Sequence, residues 1–112
     1  MIELMVQAEQ ALGLGLVDQA ERLYEQVAST DPLNAIAVVG LARVHLERGD
    51  MAGAHALALR ALAIDPENSS ALRMEARLRE VLAGEGRTVS PPPPSAANAR
   101  SGLVARLFGR TR

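Results

Sequence analysis

The chain has 112 residues, the length of one domain, and is 48% hydrophobic with only 2% aromatic, so a core must be built from Ala, Leu, Val, Ile and Met. It has no Cys, which excludes disulfides and thiolate metal sites. Its net charge of −1 divides into an acidic body (13 acids against 7 Arg in residues 1–85) and a basic end (5 Arg and no acid in residues 86–112), which gives the body no basic face for nucleic acid.

Apolar spacing predicts five helices, at about 2–14, 17–29, 35–48, 51–64 and 69–83. In the second, Val17, Ala20, Leu23, Tyr24, Val27 and Ala28 share one face; in the fourth, Met51, Ala54, Leu57, Ala58, Ala61 and Leu62 repeat that face 34 residues on. Gly15 and Gly49 stand where tight turns need a residue tolerant of positive φ. Asp31-Pro32 and Asp65-Pro66 end the second helix of each pair, because proline disfavours helix at the residue before it. Asn34, and Asn68 or Ser69, stand as caps of the helices that follow.

Laying residues 1–34 over 35–68 gives nine identities: Ile2/Ile36, Ala8/Ala42, Leu12/Leu46, Gly15/Gly49, Ala20/Ala54, Leu23/Leu57, Asp31/Asp65, Pro32/Pro66 and Asn34/Asn68. The fifth helix has no partner helix after it. Leu72, Ala76 and Leu82 are expected to pack inward, while Arg73, Glu75, Arg77, Arg79 and Glu80 make it the polar cap that a stack of hairpins needs. Glu75 and Arg79 are spaced as an i,i+4 pair.

A 34-residue helix–turn–helix unit of this kind resembles the tetratricopeptide repeat. The second unit carries the pattern in Leu41-Ala42, His45, Gly49-Asp50, Ala54, Ala58, Ala61 and Asp65-Pro66. The first carries it in Ala8, Ala11, Gly15, Ala20, Tyr24 and Asp31-Pro32. Leu4 and Val38 replace the family's early Trp, and Ala11 and His45 its first-helix Tyr. The resemblance covers residues 1–83 and implies an all-α solenoid: a domain over 1–84 with repeats at 1–34 and 35–68 and a capping helix at 69–83.

It also implies a protein–protein interaction module (adaptor, scaffold, co-chaperone or assembly factor) that holds a peptide or helix on a concave face made by the first helices. That groove would be lined by Ile2, Met5, Val6 and Glu9, then Ile36, Val39, Gly40 and Arg43, then Ser70, Arg73, Met74 and Arg77. One end is apolar. At the other, Arg43, Arg73 and Arg77 could grip a carboxylate through paired hydrogen bonds; the competing reading pairs Arg43 with Glu9 or Glu47 and leaves Arg73 and Arg77 solvated. Met5 and Met74 offer an adaptable surface, or simply fill gaps between helices. No Asn stands at a groove position, so the clamp of chaperone-tail-binding relatives is not expected.

Residues 85–102, with Pro91 to Pro94, read as a disordered, proline-stiffened linker. Beyond it, residues 103–112 place Leu103, Val104, Leu107 and Phe108 on one helical face beside Arg106, Arg110 and Arg112. Such a motif could dock on another protein, on this chain's own groove, or on an anionic membrane surface as part of a peripheral membrane or envelope complex. Its shortness ranks protein or self-docking above membrane binding.

Chemistry is sparse. His45 and His55 read as packing residues, the serines lie at helix ends and in the linker, and the glycines form no phosphate-cradling loop. The expectation is therefore a non-enzyme with no cofactor or metal, partnered by another protein or peptide or by self-association. Residues 1–15 lack a basic start, and no apolar run is long enough to span a membrane, so the expected compartment is the cytoplasm. Twelve Arg and no Lys fit a GC-rich bacterial genome.

Overall fold

A computed structural model describes residues 2–88, with side chains through Gly84. The predicted all-α class is observed: α1 (Ile2–Gly13), α2 (Val17–Thr30), α3 (Ala35–Glu47), α4 (Met51–Ile64) and α5 (Ser69–Thr88), with no strand among the described residues. Met1–Arg79 form one unit, described below; Glu80–Arg112 form a second, in which the described part is the rest of α5.

The turns follow from the repeated residues. Gly15 and Gly49 adopt φ of 80° and 78°, a conformation that costs any residue with a Cβ roughly 1–2 kcal/mol. Each turn closes in the same way. Leu16 N–H donates to the Ala11 carbonyl and Asp50 N–H to that of His45, both at 2.8 Å, while the two glycines donate three residues back at 3.0 Å. Asn34 and Asn68 cap α3 and α5, their Oδ1 atoms accepting from Ala37 N at 3.0 Å and Ala71 N at 2.9 Å. Asp50 adds a cap on α4, accepting from Gly53 N at 2.9 Å. Its equivalent before α2, Leu16, has no side chain able to do this.

One boundary differs by more than a single residue. α5 runs five residues past its expected end and takes in Glu85–Thr88, which had read as linker. Gly84 and Gly86 each cost a helix about 1 kcal/mol relative to Ala, but neither imposes a steric block. The first proline after Pro66 is Pro91, so nothing forces a stop at residue 83.

The packing is a seam of small residues. Ala8, Ala20, Ala37, Ala42, Ala54, Ala58, Ala61 and Ala71 are all fully buried, which lets helix backbones approach closely. α3 sits at the centre, with eight of its residues buried, Gly40 among them. Tyr24 is the largest fully buried side chain, and its ring lies where a Cβ on Gly40 would be. The equivalent positions one repeat on are Ala58, fully buried, and Met74, half-buried against the core patch of Val38, Val39, Ala61 and Ala71. The first junction thus pairs a large residue on α2 with none on α3, and the second pairs a small residue on α4 with a large one on α5.

α5 corrects an expectation. Ala71 and Leu78 are its buried residues within the first unit, whereas Leu72 and Ala76, expected to pack inward, are exposed. The ring contact at Gly40 yields a direct test. Gly40→Ala should lower stability by about 1–3 kcal/mol through overpacking, and Tyr24→Leu in the same chain should recover part of the loss. Gly13→Ala, with open space around its Cβ, should be neutral or stabilising. Urea denaturation of the four proteins measures this.

Candidate functional site

The first helices α1 and α3 lie side by side, and between them is an open depression of about 490 Å³ lined by Ile2, Met5, Val6, Glu9, Gln10, Asn34 and Ile36. Five of the residues named from the sequence therefore meet: Ile2, Met5, Val6, Glu9 and Ile36. Ile2 is 80% exposed and Ile36 61%. Gln10 and Asn34 were missed. Asn34 had been read only as a cap, and Gln10 lies beside Glu9 on the rim, a place that apolar periodicity does not mark.

Two expected lining residues turn inward. Val39 is buried in the core patch shared with α4 and α5, and Gly40 lies under the Tyr24 ring. The reason is their neighbours: α3 packs between α2 and α4, whereas α1 packs mainly on α2 and leaves more of its face to solvent. Met74 fills space against the same patch. Arg73, Arg77 and Ser70 are exposed on α5, and no ion pair of Arg73 or Arg77 is formed among the described residues. Leu103, Val104, Leu107 and Phe108 lie outside the described residues.

Glu9 is the hub of the groove's polar edge. Arg43 Nη1 donates to both of its carboxylate oxygens, at 2.9 and 3.1 Å, and the buried Tyr24 hydroxyl donates to Oε2. Glu9 and Arg43 are 34 residues apart, one repeat, so the same register position carries opposite charges on neighbouring first helices. Burial alone would raise the Glu9 pKa. The hydrogen bonds from Tyr24 and Arg43, with the Arg43 charge, outweigh it and hold the group below its ordinary value. Burial first, then the Glu9 carboxylate, pushes the Tyr24 phenol well up. Arg43 is raised, chiefly by its hydrogen bond to Glu9.

The other charged contacts fasten helices away from the groove. Arg48 bridges Asp18 at 2.5 Å and Glu21 at 3.0 Å, tying the end of α3 to α2. His55 meets Glu75 at 3.1 Å, linking α4 to α5, and Arg79 reaches the same carboxylate at 3.3 Å. His45 Nδ1 lies 2.8 Å from the capping Asp50. Each histidine thus faces one carboxylate, and no group of three metal-binding side chains occurs among the described residues. No helix among the described residues is long and apolar enough to cross a membrane.

The hub predicts a pH-dependent stability. Because the folded pKa of Glu9 is depressed, its contribution is present above the ordinary value of 4.5 and is lost as pH falls below it. Glu9→Ala also strands the buried Tyr24 hydroxyl and should cost about 1–3 kcal/mol at neutral pH. Glu9→Gln, which keeps an acceptor, should cost less, and its stability should fall less than the native chain's between neutral pH and pH of about 3.5. Urea denaturation at the two pH values measures both effects.

The repeat geometry has a counterpart among known families. The family model described as tetratricopeptide repeat matches residues 5–69. No curated protein matches the chain. Repeats of this kind generally mediate protein–protein interaction, and with more than half its length matched, the chain belongs to the tetratricopeptide repeat family.

Proposed function

We propose that this protein is an adaptor that holds a segment of another protein against the α1–α3 face. The observation carrying this reading is the pair of isoleucines, Ile2 and Ile36, exposed on adjacent first helices over one depression with Met5 and Val6. Clustered apolar side chains left in water usually mark a binding surface. Covering a side chain as large as isoleucine is worth roughly 1.5–3 kcal/mol, enough to select a segment with apolar residues on one side. A non-catalytic role in the cytoplasm, as an assembly factor, co-chaperone or scaffold, agrees with this arrangement.

Charge supplies the second part of the reading. Arg43 is held by Glu9, so it is a weak candidate for gripping an acidic ligand. Arg77 follows Arg43 at the same register position on α5, and Arg73 lies one turn away, both exposed. A bound segment with an apolar stretch over α1–α3 and an acidic end toward α5 suits that order.

The test is capture of the native partner by the full chain and by single-site variants. Ile36→Glu should reduce recovery at least about tenfold, and Arg73→Glu with Arg77→Glu should reduce it less. Leu14→Glu, at a position 75% exposed in the first turn, should leave it unchanged. Equal recovery by Ile36→Glu and the native chain would remove the groove from the reading.

A further inference from the structure

Sulfur in this chain is confined to thioethers: it has four Met and no Cys. Three of the methionines lie among the described residues, each half-buried, and their surroundings differ. Met51 opens α4, and Met74 packs against the patch of Val38, Val39, Ala61 and Ala71. Met5 is the one that lines the α1–α3 depression. It stands three residues after Ile2 and four before Glu9, in the middle of the stripe that α1 gives to the groove. It also packs against the core cluster that contains Ala8, Tyr24 and Leu41.

Among the apolar groups of the groove only this one carries a reactive atom. Ile2, Val6 and Ile36 are hydrocarbons, whereas the Met5 sulfur can take up oxygen from a peroxide. The sulfur lone pair attacks one peroxide oxygen, the O–O bond breaks, and the displaced oxygen leaves as water. The thioether is oxidised to a sulfoxide and the peroxide is reduced. With no Cys present, no disulfide or sulfenic acid competes for the oxidant. We infer that Met5 is an oxidation site that controls occupancy of the groove, the partner being released when the sulfoxide forms; this rests on the adaptor reading of the α1–α3 face.

Polarity sets the direction of the effect. In the open depression, water solvates the sulfoxide oxygen, a strong acceptor. A partner segment laid over Ile2, Met5 and Ile36 would strip that water away, and burying the group unpaired disfavours the bound state by about tenfold or more. The native thioether asks for no such compensation and adapts its shape to an apolar neighbour. The device belongs to the first repeat alone. One repeat on from Met5 stands the buried Val39, and two repeats on stands Arg73, neither of which carries sulfur. The change is also reversible, because methionine sulfoxide reductases restore the thioether.

The test treats the full chain with dilute hydrogen peroxide and scores each methionine by peptide mass spectrometry for the gain of one oxygen. The probe is the protein that the untreated chain retains from native lysate and Ile36→Glu does not, which fixes a partner that depends on the groove. Its recovery should fall at least about tenfold once Met5 carries the sulfoxide, and methionine sulfoxide reductases should restore it. Met5→Leu, which keeps an apolar side chain of similar volume without sulfur, should give one and the same recovery before and after peroxide. Met51→Leu with Met74→Leu should lose recovery by the same factor as the native chain. Far-ultraviolet circular dichroism should not change at that dose. The inference is overturned if Met5 stays unoxidised while Met51 and Met74 react, if recovery persists with Met5 oxidised, or if Met5→Leu remains sensitive. It is also overturned if the helical signal falls in step with recovery, which would assign the effect to unfolding. All of these results leave the groove reading in place; if no protein meets the Ile36→Glu criterion, that reading falls and the role of Met5 with it.

Discussion

The ring of Tyr24 rests on the bare backbone of Gly40, and much of the molecule depends on that contact. It is the one place in the described core where an aromatic is fully buried, and it is possible only because α3 offers no side chain there. The contact sets how closely the second helix of one repeat approaches the first helix of the next. It also aims the phenolic hydroxyl at Glu9, which Arg43 reaches from α3. Packing and polarity are therefore coupled: α1, α2 and α3 share one buried ring and one carboxylate.

The alanine seam complements this arrangement. Fully buried alanines lose no side-chain rotamer freedom on folding, so a core with little aromatic mass remains worthwhile at short helix separations. Their contacts are shallow, however, and the charged links compensate at the periphery. Arg48 fastens α3 to α2, and His55 with Glu75 fastens α5 to α4. These pairs are part-exposed and individually weak, but each joins different helices and so helps define their register.

Much of this was legible in the sequence, because the 34-residue period, the two turn glycines and the two Asp-Pro breaks each have a single structural meaning. What remained hidden involved neighbours rather than periodicity. Val39 and Gly40 were assigned to the groove by treating all first helices alike, yet α3 packs between α2 and α4 and α1 mainly on α2. Leu72 and Ala76 were expected inside because they are apolar and helically spaced. Spacing identifies a face but not whether another helix covers it, and α5 buries Ala71 and Leu78 instead. Asp50 was visible as part of a repeat motif, but its dual contact with Gly53 N and His45 is a geometric fact. The expected end of α5 fell short because apolar spacing fades after Leu82 while the helical backbone continues to Thr88.

The two junctions differ in the order of their bulk: tyrosine over glycine at the first, alanine beneath methionine at the second. Repeat arrays commonly grow by tandem copying, and here copying is constrained. A duplicate of residues 1–34 placed after itself would bring Tyr24 onto the counterpart of Val6, where a branched side chain stands in place of hydrogen. A duplicate of the second repeat would set Ala58 over a glycine and leave a hole. The units are thus keyed to their places, and evolutionary lengthening of this solenoid would require paired changes on both sides of each new seam.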